Sequence, residues 1–266
     1  MASRPVQTIE TPAVAVLRGG PLDYTLRRSP RARGLRITID PARGVIVTIP
    51  GAGARGWGRS EDRVCEFLTE RESWVRKHVE KQQRLRRELA ARGGIRDGAS
   101  VRYRGELHRL HIEAPGAGPQ RSTVIREGDF AGDRLVVRLG ATDRRDVARV
   151  VADWCRDRAR ESIERAVEAH APALAVQPAG IALRDQRTRW GSASRERRLS
   201  FSWRLILAPP EALETVVIHE LVHLRIFGHG PSFWDLVASR RADHVAWRRW
   251  LQQHAFELHA AFEPLG

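Results

Sequence analysis

Cysteine, methionine, lysine and tyrosine are all scarce in this 266-residue chain, and each shortage removes a class of explanation. The two cysteines, Cys65 and Cys155, lie far apart, so neither a disulfide framework nor a thiolate zinc cluster is available. Any metal must be held by His and carboxylate side chains. Cys155 falls inside an apolar helical pattern, where a free thiol acts as a small buried hydrophobe. No run approaches the roughly 20 apolar residues of a membrane span. The first thirty residues carry Arg4, Glu10, Arg18, Asp23, Arg27 and Arg28, and the apolar run Ala13 to Leu17 is too brief for a secretory signal. The expectation is a soluble cytoplasmic protein with no membrane partner.

What is present begins with 42% hydrophobic content, enough for a core in one large or two modest domains, and a net charge of +14. Clustered basic residues bind phosphates by releasing counterions. Here only Lys77 and Lys81 among 46 basic residues are lysines, and the arginines are spread along the chain instead of forming a stripe. A codon bias toward G and C is the plainer explanation of that pattern, with a nucleotide or nucleic-acid partner as the alternative.

Residues 22 to 50 alternate as strands in LDYTLRR, GLRITID and GVIVTIP, with turn signals at Ser29-Pro30 and 41–44, which reads as an antiparallel meander. A loop follows at 50–53. A helix is expected over about 61–92, from Val64, Phe67, Leu68, Trp74, Val75, Val79 and Leu85 among many charges. Short strands follow at SVRYRG, LHRLHIE and DRLVVRLG, with a loose stretch at 115–119 and no internal repeat visible. A new section opens near Thr142 or Asp143, either of which could cap a helix running to about His170. Strand candidates at Gly180 to Arg184 and Leu199 to Leu205 come next, then a helix opened by Pro209-Pro210-Glu211. The plan is α+β: a mostly β N-terminal module at 1–142, then a small zincin-like metallohydrolase domain at 143–266.

The last of those helices, expected from about Pro210 to Phe227, contains His219-Glu220-Leu221-Val222-His223. Residues four apart share one helix face, so both imidazoles can bind one zinc ion. Glu220 is offset by about 100°, outside the ligand set yet able to take a proton from a zinc-bound water. Gly228 can turn the chain back in a left-handed conformation so that His229 becomes the third ligand. Asp235 and Asp243 are reserve ligands. Phe233 and Trp234 are expected to pack beneath the site. Three histidines leave one coordination position open, which favours catalysis over a purely structural or interaction role. The spacing to His229 matches the metzincin signature, but Ile226 stands where that class has Gly, and the only methionine is Met1. A metzincin is excluded.

The run RDQRTRWGSASRERRLSFSWRLILAPPEALETVVIHELVHLRIFGHGPSFW resembles the YgjP-like metallopeptidase family, related to SprT-like and WLM zinc proteins. YTLRRSPRARGLRITIDPARGVIVTIP and WVRKH are similar to that family's N-terminal region, so the likeness extends over nearly the whole chain. One departure is Gly228, where Asn is expected. The resemblance implies a metal-dependent hydrolase of zincin-like architecture with its site at His219, Glu220, His223 and His229.

Two substrate classes follow. In a metallopeptidase, a strand before the active helix, Leu199 to Leu205, offers its edge to a peptide or protein substrate. A proton donor must then come from His244 or an arginine, since Tyr24 and Tyr103 are the only tyrosines. Alternatively the loop 184–192, with Arg187, Arg189 and Trp190, binds phosphates and a base, giving a nucleotide phosphohydrolase or a nucleic-acid-associated protease. The plainer role of Arg189 and Trp190 is to anchor that loop. One zinc per chain is expected, although imidazole also suits other divalent metals.

Overall fold

Alternation in the first fifty residues produces four strands, one more than the three expected: β1 (Ile9–Leu17), β2 (Gly20–Ser29), β3 (Arg36–Asp40) and β4 (Gly44–Pro50). The structure, a computed structural model, describes residues 8–40, 43–51, 54, 57, 60–91, 93–114, 120–129, 132–186 and 189–262. In β1, Ala15 and Leu17 face inward while Val14 and Val16 face out at 60% and 80% exposure. Valines on the outer face hide the alternation, which is why the strand is hard to read.

The expected antiparallel meander does not form. The order is β1-β2-β4-β3, with β2 and β4 parallel and the other two pairs antiparallel. Val45, Ile46, Val47 and Ile49 make β4 the most buried strand, so it takes an interior position paired on both sides and leaves β3 at the edge. The single helix expected over 61–92 is two, α1 (Ser60–Glu70) and α2 (Glu72–Ala91), separated at Arg71. The break puts Glu72 in the first turn of α2, where its carboxylate accepts from the Gly19 N–H and from Arg76, both at 2.8 Å. Val64, Leu68 and Val75 are fully buried in a core shared with Leu22, Leu26, Val47 and Ile49.

A second sheet repeats the first in topology. It comprises β5 (Ser100–Tyr103), β6 (Glu106–Glu113), β7 (Thr123–Asp129) and β8 (Gly132–Arg138), in the order β5-β6-β8-β7. Its inner pair is again parallel and its outer pairs antiparallel. The duplication is one of strand pairing and not of residue pattern, so a search for repeated side chains passes over it. The loops expected at 52, 53 and 115–119 lie outside the described residues.

Next comes α3 (Val147–His170), which starts later than expected: its N-cap is Asp146, accepting from the Arg149 N–H at 2.6 Å, not Thr142 or Asp143. Along α3, Val151, Cys155, Ala159 and Ile163 are fully buried at helical spacing, and burial pushes the Cys155 thiol up to about 12. A three-stranded sheet follows, ordered β10-β11-β9, from β9 (Gly180–Arg184), β10 (Gly191–Ala193) and β11 (Arg198–Ser202). The strand expected over Leu199 to Leu205 ends at Ser202 and gives way to a 3-10 turn, Trp203–Leu207, whose five residues are all buried. The remaining helices are α4 (Pro210–Val222), α5 (Pro231–Arg240) and α6 (His244–Ala260).

The chain divides into two compact units at 88/89, whereas the sequence suggested 142/143. The reason is hydrophobic: Val101, Leu110, Leu135 and Val137 of the second sheet share one core with Val151 of α3, Phe201 of β11 and Val217 and Leu221 of α4. Each unit therefore carries one four-stranded sheet and its own core. Among the described residues no helix is long and apolar enough to cross a membrane.

Candidate metal centre

Helix α4 owes its position to apolar residues on nearly every side. Leu213, Val217, Ile218, Leu221 and Val222 are all at most 4% exposed, with Pro209 as N-cap and Pro210 in the first turn as expected. A helix buried this completely cannot roll, and the direction of His219 and His223 is fixed with it. The helix stops at Val222, five residues before the expected end, with His223 as its C-cap. Hydrogen bonds from Leu224, Arg225 and Ile226 back to Leu221 and Val222 carry the chain through a tight turn. Gly228 then has φ +147°, a positive value that residues with side chains rarely adopt and far from the φ near +57° of the left-handed helical cap expected. Its role is nonetheless to return His229 to the site.

The three ring nitrogens converge. Nε2 atoms of His219, His223 and His229 are each 3.2 Å from the other two. The Nδ1 of His223 lies 3.1 Å from the Ile226 carbonyl, so it carries the proton and leaves Nε2 as a bare lone pair. Burial, reinforced by the neighbouring His223 and His229 and by Arg248 and His244, pushes His219 down to about 3, and burial also lowers His223. Three inward lone pairs at this distance repel unless a cation lies among them. Tetrahedral zinc with Zn–N near 2.0–2.1 Å sets its ligand nitrogens about 3.3 Å apart, so the donor set and its spacing fit the ion. Neither Asp235 nor Asp243 belongs to the cluster. Asp243 is the N-cap of α6, and its carboxylate accepts from the Trp247 indole at 2.6 Å.

Glu220 is 6% exposed. Burial raises its carboxyl to about 7, against the opposing charge of Arg189 and a hydrogen bond from the Ala193 backbone. Gly191 makes that arrangement possible, because a β-carbon there would meet Glu220 Cγ and Oε1 at 2.7 Å. The glycine of the RWGS segment thus serves close approach of β10 to the α4 carboxylate, a role no sequence signal assigns specifically. Phe233 is fully buried and contacts all three imidazoles at 4.6–4.9 Å between ring centres, edge-on to His219 and His229 and tilted to His223. Trp234 lies 5.5 Å from His229 and 5.6 Å from His219, while Arg248 rests 4.0 Å over its face. His244 stacks on Trp234 at 5.5 Å and 9° and is 7% exposed, with Nδ1 buried. Phe233 and Trp234 thus pack against the histidines as expected, and Arg248, which sequence reading left unassigned, joins Trp234 there because α5 and α6 meet only in the fold.

The loop 184–192 is tied down at several points. Asp185 accepts from Arg204 Nε at 2.9 Å, and the same guanidinium reaches the carbonyls of Leu258 and Ala261. Trp190 stacks on His259 at 4.3 Å and 15°. Arg189 acts electrostatically on Glu220, and Arg187 lies outside the described residues. Tyr103 is buried against His108 and Trp154. A second His and carboxylate group, Glu106, His108 and Asp133, is closed by Arg126, whose Nε is 2.6 Å from Asp133 Oδ2.

Three convergent imidazoles beside a buried carboxylate form a donor set that could hold a metal ion. Residues 33–254 match the family described as YgjP-like, metallopeptidase domain, and the chain belongs to that family. Membership places it among metal-dependent hydrolases and implies a divalent metal. Comparison with curated proteins and with solved structures found no match.

Proposed function

We propose that the chain is a zinc metallopeptidase of zincin-like architecture, with His219, His223 and His229 holding one zinc ion and Glu220 as general base. The observation that carries the reading is the triangle of Nε2 atoms at 3.2 Å next to a carboxylate that is 6% exposed. Zinc held there supplies Lewis acidity toward a scissile carbonyl and toward water. Glu220 accepts the proton of the attacking water and returns it to the leaving amine, a role suited to a carboxyl raised to about 7. The expected peptide strand needs relocating. β11 is paired on both sides, with β10 and β9, so Leu199 to Leu205 has no free edge. Strand β10, paired with β11 alone among the described residues, offers its outer edge instead and lies against α4 through Gly191. Arg248 and His244 are the groups placed to stabilise charge on the substrate oxygen.

Arg189 keeps a second reading in the test, since its charge reaches Glu220 from the arginine loop. Zinc-loaded wild type and Glu220→Gln are assayed in parallel on peptide libraries and nucleoside triphosphates. The expected result is peptide cleavage by wild type, a loss of about 10²–10⁴-fold in the variant, and unchanged zinc stoichiometry. Phosphate release by wild type alone would favour a nucleotide phosphohydrolase, and full activity in Glu220→Gln would end the mechanism.

A further inference from the structure

Behind the metal helix, on the side of its N-terminal half, lies a cavity of about 290 Å³ whose polar lining includes Arg104, Ser162, Arg165, His170 and Glu214. Neither Arg104 nor Arg165 has a carboxylate partner among the described residues. Arg165 donates only to the Glu161 carbonyl at 3.3 Å and to Ser162 Oγ at 3.5 Å. His170 ends α3. Its Nε2 is 3.9 Å from Glu214, and its Nδ1 is buried with no hydrogen-bond partner among the described residues. Glu214, the one acid in the lining, is also drawn toward Arg241 at 3.3 Å. The lining therefore sets two guanidinium groups and an imidazole against one carboxylate; Arg104 is half-buried and Arg165 exposed, and the His170 Nδ1 is the polar atom left buried without a partner among the described residues.

The placement of Arg104 strengthens the case. It is the first residue of the two-residue turn joining β5 and β6, between Tyr103 and Glu106, with φ +52° followed by φ +87° at Gly105. Turns with positive φ at both positions favour Asn, Asp or Gly at the first, and a longer side chain such as arginine, which lacks their local hydrogen bond to the backbone, is disfavoured there. The turn is held against the start of the metal helix: Arg104 N–H donates to the Ile206 carbonyl at 2.8 Å and Gly105 N–H to that of Leu207 at 3.1 Å. A β-carbon on Gly105 would meet Pro209 at 2.8 Å. An arginine is thus kept where turn chemistry disfavours it, fixed by its backbone, with its side chain lining the cavity.

We infer that this cavity is a phosphate-group site in which Arg104 and Arg165 clamp the oxyanion, with Ser162 and His170 as further donors. Guanidinium groups suit such tetrahedral oxyanions, because paired N–H donors match two oxygens at once. Among the described residues no Phe, Tyr or Trp lines the cavity, so it offers no broad stacking platform and reads the phosphate group. The size fits one phosphate with a small attached group. The inference is independent of which bond the metal centre cuts.

The test uses the zinc-loaded full chain. Inorganic phosphate and a nucleoside monophosphate are titrated by calorimetry, and a labelled single-stranded 12-mer by fluorescence anisotropy. Variants are Arg104→Asn, which suits the turn but removes the guanidinium, Arg165→Ala, their combination, and Arg86→Ala on an exposed face of α2 as a charge control. Each cavity variant should weaken binding by about tenfold, the scale of one lost charge-assisted hydrogen bond, with Arg104→Asn melting no lower than wild type. Binding of the two small phosphates identifies a soluble phosphate ester. Cavity-dependent binding of the 12-mer alone identifies a nucleic-acid backbone, and both results support the site. Absence of binding in all three arms overturns it. So does equal binding by the double variant, which would place the anion at the metal, or an equal loss in Arg86→Ala, which would make the attraction diffuse.

Discussion

Glu220 depends on an absence at Gly191. The carboxylate is buried against β10, and the 2.7 Å separation between its Cγ and an added β-carbon leaves no room for the smallest side chain. Gly191→Ala should therefore push the carboxylate out of line without touching the three imidazoles. The expected outcome is unchanged zinc stoichiometry with turnover lower by about a hundredfold, the scale on which a displacement near 1 Å acts, checked by metal analysis beside steady-state kinetics. Loss of metal in the variant would show instead that β10 positions the histidines. At this scale much was legible. The HExxH spacing selected His219, Glu220 and His223 because a helix has a fixed period, whereas the RWGS glycine, Gly191, suggested close approach without saying that Glu220 is its neighbour across space.

Arg204 is a buried polar tie between elements of the second unit. It is 3% exposed and joins Asp185, before the RWGS segment, to the carbonyls of Leu258 and Ala261 at the end of α6. Arg204→Ala leaves those carbonyls unpaired, and a loss of about 2–4 kcal/mol is expected in denaturant unfolding. Most of it comes from the carbonyls, since Asp185 is 46% exposed and its ion pair is screened. Burial alone would raise the Asp185 carboxyl, but the hydrogen bond and charge of Arg204 outweigh it and the net shift is downward. A depressed folded-state value means that this share of stability is present above the unfolded carboxylate pKa near 3.9 and fades as pH falls through the lower folded value. The gap between wild type and Arg204→Ala should accordingly narrow on acidification below about pH 4. A gap independent of pH would assign the whole effect to packing. The strands and helices themselves were largely readable, and β9 falls on the segment expected. Pairing was not, because β4 and β11 take interior positions by competition among strands that no single segment records.

The described residues form two cores, one beneath the sheet of residues 9–50 and one joining the second sheet to α3 and α4, and the helix that carries His219 belongs to the second. Metal removal should therefore act on one unit. A ligand present at a thousandfold its dissociation constant stabilises by about 4 kcal/mol, so chelation should lower the melting temperature of residues 89–266 by about 8–16 °C while leaving that of residues 1–88 in place. Scanning calorimetry with and without chelator checks this, and a single transition shifting as one would show that the units unfold together. The sequence by itself singled out His219, Glu220, His223 and His229 as candidates, since their spacing is local to one helix and a turn, and the long run around them carried the likeness to the family that residues 33–254 match. It also determined the apolar faces of α3 and α4, because periodicity follows from the geometry of the helix. Only the tertiary structure decided that 88/89 divides the chain, that β10 presents the edge beside Glu220, and that Arg104 lines a cavity behind α4. Those facts depend on which surfaces find each other once buried, and burial is a property of the folded chain as a whole.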